Sequence, residues 1–366
     1  MQESERLFSP SAWKRFQKNK AAIFGLTVIG SSVLMAILAY FVAPDHSPDA
    51  NRIILEIGGQ KPGFSINFIK LRKQKNVRRA GFISRLIHGQ EDAYNYVPVT
   101  GWQQDGDTLI VDQYIDEAVS EKRKYAVSQL APAGTTAHAT RITFWLGTDK
   151  FGRDILSRLI VGVRVSLGIG IIAVIISLTI GVMLGATAGY FGARTDDIIM
   201  WFINVVWSIP TLLLVFAVTL VLGKGFWQVF LAVGLTLWVS VARLIRGQVL
   251  GIRELEYIEA AKALGFTHTR ILFRHVLPNV WGPVLVTAAS NFATAIVMEA
   301  GLSFLGFGVQ PPQPSWGLMI KENYNFIITH NPALAIAPGV CIMLLVLAFN
   351  LLGNGLRDAM DVRSYP

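Results

Sequence analysis

Long uncharged apolar runs alternate with short polar segments along this chain. Six runs reach the roughly 20 residues a helix needs to cross hydrocarbon: 21–43, 165–190, 198–222, 226–245, 281–307 and 333–352. Residues 44–163, between the first two, have the composition of a water-exposed module. There 52–57 and 64–71 flank a Gly-Gly and Pro-Gly stretch, and 108–114 alternate after Asp105-Gly106-Asp107, which predicts a small β-containing module. Residues 254–278, between the fourth and fifth runs, are charged and read as two short helices. Leu255, Ile258, Ala261 and Leu264 form one apolar stripe. Gly265 then stands where a helix commonly stops in a left-handed residue. Ile271, Leu272 and Phe273 begin a second piece, which Pro278 should close.

Composition turns this pattern into a membrane reading. Of 366 residues, 52% are hydrophobic and only 16% charged, with a mean hydropathy of +0.46. A soluble domain is nearer a quarter charged. The net charge of +9 marks cytoplasmic flanks of spans before it marks nucleic acid. The single cysteine, Cys341, excludes an intrachain disulfide.

Basic residues then orient the spans. Lys14, Arg15, Lys18 and Lys20 precede the first run, and Arg253, Lys262, Arg270 and Arg274 lie in the loop before the fifth. With six spans both segments share a side, and the positive-inside rule makes that side cytoplasmic. Both termini are then inside and the 44–163 insertion outside. The basic stretch 70–79 does not contradict that placement, since long translocated segments escape the charge rule; it reads as a solvated face, with a partner-binding patch as the alternative. Residues 11–20 read as an interfacial amphipathic helix with Trp13 and Phe16 at headgroup level. Residues 1–20 are too polar for a signal peptide, so the first run reads as a retained span.

Polar residues inside spans are costly in lipid, and they nominate a translocation path. Glu299, Asn204, Trp207 and Asn291 are the candidates, with Ser208 and Pro210 nearby; Pro210 should kink its helix. Glu299 either pairs with a cation in the chain or lines a cavity. Outside, Asp149 and Arg153 stand at i, i+4, spaced to pair on a helix. With Gly152 and Asp154 they either brace the second span or meet a partner. His46, His88 and His138 are scattered without ligand spacing, so no metal site is expected. No phosphate-binding loop of the G-x-x-x-x-G-K-[ST] kind occurs.

Glu259-Ala260-Ala261, Gly265 four residues on, and then Leu277-Pro278 resemble the EAA loop of ABC-importer membrane subunits. The resemblance implies a coupling helix that seats in a cleft of a cytoplasmic ATPase. The residues suit that role: Ala260 and Ala261 allow close approach, Gly265 permits the turn, and Glu259 offers charge. His275 replaces a usual aliphatic residue, yet His275-Val-Leu-Pro-Asn279 is similar to the peptide-transporter branch. Leu146-Gly-Thr-Asp149-Lys-Phe-Gly152-Arg153-Asp154, Trp13-Lys-Arg-Phe16, Glu299-Ala-Gly-Leu-Ser-Phe-Leu-Gly-Phe-Gly-Val-Gln-Pro-Pro312, Ser315-Trp-Gly317 and the 347–358 segment also resemble that branch. Asn354 departs from it, standing where Asp is commoner.

The chain is thereby identified as a member of the dipeptide/oligopeptide (peptide/nickel) permease family, second-permease type. The family implies an all-α polytopic membrane protein of type I ABC-importer permease fold. Six transmembrane helices would carry a small extracytoplasmic insertion. It would divide into 1–43, the insertion 44–163, a core 164–356 with the coupling loop 246–279, and a tail 357–366. It would sit in the bacterial inner membrane beside a second homologous permease, two ATPases and an extracytoplasmic solute-binding protein. ATP would be bound by those partners, and the chain would need no cofactor of its own. An ion-driven secondary transporter is the rival, but it calls for several paired acidic residues deep in the spans, and only Glu299 qualifies.

Overall fold

A computed structural model describes residues 10–74, 77, 79–116, 119–131, 139–223, 225–329 and 331–360. His138, the tail beyond Met360, and Lys75, Asn76 and Arg78 of the basic stretch lie outside the described residues. The elements in order are α1 (Pro10–Lys18), α2 (Lys20–Val42), β1 (Phe64–Arg72), α3 (Phe82–His88), β2 (Tyr94–Asp105), β3 (Thr108–Asp116), β4 (Val119–Ala126) and β5 (Ala139–Phe144). There follow α4 (Ile155–Phe191), α5 (Ala193–Trp207), α6 (Thr211–Leu222), α7 (Phe226–Arg253), α8 (Glu256–Ala263) and α9 (His268–Ile271). A π-turn at Leu272–Val276 leads into α10 (Leu277–Leu305), α11 (Trp316–Asn323), α12 (Phe326–Thr329) and α13 (Ala333–Met360).

The chain forms two compact units. One holds residues 1–32, 166–310 and 341–366, the other 33–165 and 311–340. Among the described residues five helices are long and apolar enough to cross a membrane: α2, α4, α7, α10 with α9 and the π-turn that run into it, and α13. The expected third span is not one helix. α5 and α6 meet at 90° across Ser208–Pro210, and count as a sixth span only if the bent pair is taken together. Pro210 has no N–H to continue the ladder, so the kink expected of it is a full break. Pro278 also departs from expectation. The helical run passes through it, with the backbone widened into the π-turn at Leu272–Val276 just before it, so it does not close the second piece.

In the first unit, α4 lies against α7 through Gly181, Gly185 and Gly189. A Cβ at Gly181 would fall 2.4 Å from the Val241 Cβ, and one at Gly185 2.4 Å from the Ala242 carbonyl. Glycines every fourth residue let two backbones touch, which is how helices gain contact where lipid supplies no hydrophobic drive. α1 is the expected amphipathic helix with one difference. Trp13 is exposed, while the Phe16 ring is buried against Ala22 and Ala359.

The second unit contains an antiparallel sheet ordered β4-β3-β2-β1-β5. Alternation along β1 sends Ile66 and Phe68 to a cluster with Ile54, Ile57, Tyr114 and Phe144, and Ile69 to another with Val99, Leu109, Val111 and Leu130. The expected 64–71 and 108–114 stretches are β1 and β3. Residues 52–57 are not a strand and end in a tight helical turn at Leu55–Ile57. β2 escapes sequence reading because Pro98 sits in it, opposite Phe68, one residue before a register shift at Val99/Gly101. β4, an edge strand of exposed Lys122, Arg123 and Lys124, carries too little apolar signal, though its charges protect the edge.

Candidate functional site

Two places in the first unit combine exposure with order. The first is the helix–turn–helix at α8 and α9. α8 ends in a Schellman motif: the Phe266 N–H donates to the Ala261 carbonyl (3.2 Å) and the Gly265 N–H to the Lys262 carbonyl (3.0 Å). Gly265 takes φ +76, with nothing within 4 Å of where a Cβ would be, so backbone conformation alone asks for glycine here. Thr267 caps α9 by accepting from the Arg270 N–H.

Of the expected stripe only Ile258 and Ala261 are buried. They pack with Ile271, Val276 and Val280 against Ala186 and Tyr190 of α4 and Val241, Ile245 and Val249 of α7. Leu255 and Leu264, the outer members, are exposed, Leu264 by 72%, because α8 is only two turns long and touches the core through its middle. Glu259, Ala260 and Lys262 also face outward. The loop is braced from several sides. The Tyr190 hydroxyl lies 3.0 Å from His268 Nδ1, Arg270 covers the Phe266 ring at 4.1 Å, and Asn279 Nδ2 donates to the His275 carbonyl at 2.6 Å. Leu277 and Pro278 begin α10, directly after the π-turn.

The second place is a cavity of about 470 Å³ at the α5–α6 break. Trp207, Ile209 and Pro210 form one side, Thr236 and Ser240 of α7 another, and Ser290, Asn291, Thr294 and Met298 of α10 a third. Its volume falls within the roughly 300–1,000 Å³ of small-molecule sites. Of the four nominated path residues, Trp207 and Asn291 line it. Asn291 is buried and donates to Ser177 Oγ at 3.4 Å. Asn204 stands one turn before Trp207 and accepts from Arg243 Nη2 at 2.7 Å, while that guanidinium lies 4.0 Å over the Trp207 ring. Glu299 is not among the lining residues. Its buried carboxylate accepts from the Ser303 hydroxyl at 2.6 Å, which in turn accepts from the Val309 N–H.

Arg243 and the hydroxyls of Thr236, Ser240, Ser290 and Thr294 were not nominated from sequence. A cation inside the fourth apolar run was an available signal. The hydroxyls were not, since serine and threonine in a span commonly back-bond to their own helix, as Thr236 does to Ala232.

In the second unit, Asp149, Gly152, Arg153 and Asp154 come together just before α4. Asp149 and Arg153 pair at 2.6 Å, not along a helix but across a tight turn in which Asp149 Oδ1 also accepts the N–H groups of Phe151 and Arg153. Arg153 continues to Glu322 (2.7 Å) and Asn51 (3.2 Å). Gly152 has φ +73, and a Cβ there would lie 1.7 Å from the Ile54 carbonyl, so no other residue fits. Asp154 caps α4 by accepting the N–H and hydroxyl of Ser157. Burial raises its carboxyl above the usual range, against the pull of those hydrogen bonds. Asp149, Arg153 and Asp154 are all buried, the first two joined across the turn and the third at the start of α4.

Residues 177–363, just over half of the chain, match the family described as binding-protein-dependent transport system inner membrane component. Residues 9–57 match the N-terminal TM domain of oligopeptide transport permease C. The oligopeptide transport system permease protein OppC of Bacillus subtilis is 42% identical over 217 residues, covering 59% of this chain and 71% of the relative. The glutathione transport system permease protein GsiD of Pectobacterium atrosepticum is 44% identical over 217 residues, covering 59% and 72%. A chain of the inward-facing MetNI methionine ABC transporter overlays with a TM-score of 0.47 at 18% identity, over 55% of this chain and 95% of that one.

Proposed function

The chain belongs to the family of inner-membrane components of binding-protein-dependent transport systems, and from that premise we propose that it is one permease subunit of an ATP-driven peptide importer. In this reading α8 and its Gly265 turn engage a separate cytoplasmic ATPase. The cavity at Pro210 belongs to the translocation path, completed by a second homologous permease. The bent pair α5–α6 is the third of six spans, both termini are cytoplasmic, and the sheet module faces an extracytoplasmic solute-binding protein. ATP is bound by the partners, and this chain holds no cofactor.

The carrying observation is the division of α8. Ile258 and Ala261 are locked into a core shared with α4 and α7, while Glu259, Ala260 and Leu264 are offered to a partner. A push on the outer face is delivered through close packing to α7, whose Thr236 and Ser240 line the cavity. ATP binding would move this loop and open the cavity outward, and hydrolysis would reset it inward. The substrate must bind the two states differently for net transport. Peptides fit a wall of hydroxyls and an amide that can meet backbone N–H and C=O groups, and the similar permeases are named for oligopeptides and glutathione.

The test is to coexpress the chain with its ATPases, carrying Glu259→Lys or Gly265→Pro. Both variants should insert in the membrane but lose ATPase co-purification and uptake. Normal uptake with normal co-purification in both would sink the assignment.

A further inference from the structure

Helix α3 (Phe82–His88) plays no part in the transport reading. At 100° per residue its side chains separate into two faces: Phe82, Ile83, Leu86 and Ile87 on one, Ser84, Arg85 and His88 on the other. The apolar face is open. Phe82 is 73% exposed, Ile83 70% and Ile87 50%.

The helix is pinned to the end of a span. The Phe82 ring lies 5.5 Å from that of Phe41, the penultimate residue of α2, and the Arg85 guanidinium sits 4.9 Å from the same ring. Arg164 donates to the Ile87 carbonyl at 3.1 Å and lies 5.1 Å over the Tyr40 ring. α3 therefore sits at the Val42 end of α2, a helix of bilayer length, among aromatic rings and arginines, the residue types that gather at headgroup level. The flank of α2 beside it is itself open and apolar at Leu34, Ile37, Leu38 and Val42.

We infer that α3 is an interfacial membrane anchor. Its apolar face seats at the boundary of headgroups and acyl chains, in the leaflet at the Val42 end of α2, and Arg85 and His88 face the headgroups. Lipid is the occupant because the open face continues the apolar flank of a bilayer-length helix, and because the flanking cations match phosphate headgroups. The helix ties the sheet module to the membrane surface. This inference does not depend on what the chain transports.

The test uses the full chain in phospholipid nanodiscs with Cys341→Ser, which removes the only native cysteine. A nitroxide is attached at Ile83→Cys, Ile87→Cys or Ser84→Cys, and collision with oxygen is compared with collision with a water-soluble nickel chelate. Labels at 83 and 87 should favour oxygen several-fold over the label at 84, which should favour nickel. Nickel-favoured collision at 83 and 87 would make α3 a solvated helix and overturn the inference. Shielding of both labels from both reagents would overturn it too, by showing protein over the face.

Discussion

Arg153 shows why a four-residue motif is tightly specified. Its guanidinium, 3% exposed, is held by Asp149 and Glu322, and the fully buried Arg158 lies 3.6 Å from the same Glu322 carboxylate. Removing Arg153 leaves Asp149 and Glu322 sharing Arg158 as their one remaining cation, and breaking a buried pair in this way typically costs about 3–5 kcal/mol. Arg153→Leu should therefore lower the thermal unfolding temperature of the detergent-solubilised chain sharply. Arg123→Ala removes an exposed pair with Glu121 and should leave it unchanged. Equal melting of Arg153→Leu and the parent would show that the network does not hold the turn. Asp149 and Arg153 were legible as a pair from their spacing. Glu322 was not, being 169 positions away with nothing in sequence to connect them.

At the scale of elements, the α4–α7 contact is the most exacting. Gly185→Ala places a methyl 2.4 Å from the Ala242 carbonyl, so the helices must separate, at a typical cost of about 1–3 kcal/mol. Gly168→Ala, also in α4, meets nothing within 4 Å and should be neutral or slightly stabilising. Thermal unfolding of the two single variants checks this, and equal behaviour would refute the close approach. The Gly181-x-x-x-Gly185-x-x-x-Gly189 spacing was in plain view, but its facing partner was not, because one sequence does not say which helix a small-residue stripe meets. Helix breaks divide similarly. Pro210 was legible as a kink, but the 90° angle between α5 and α6, and the cavity that α7 and α10 line beside it, were not.

For the whole molecule, the topology makes a simple prediction. In a Cys341→Ser background, Ser120→Cys on β4 should react with a membrane-impermeant maleimide added to intact spheroplasts. Leu264→Cys, beyond α8, should react only after the membrane is opened. The reverse pattern would invert the orientation drawn from the positive-inside rule.

Sequence alone determined that this chain spans a membrane, roughly where its helices run, and that residues 254–265 form a short helix stopped by a left-handed glycine. Those features are local: bilayer thickness sets run length, and a residue's own backbone preference sets the stop. Tertiary structure decided the remainder. It chose which members of the 255–264 stripe are buried, placed Trp207 and Asn291 on a cavity while turning Glu299 toward Ser303, buried Phe16, and built a five-stranded sheet around a proline-bearing central strand. It also left α3 with an open apolar face at the end of α2. Burial depends on which distant surface arrives to cover a side chain, and neither periodicity nor composition carries that information.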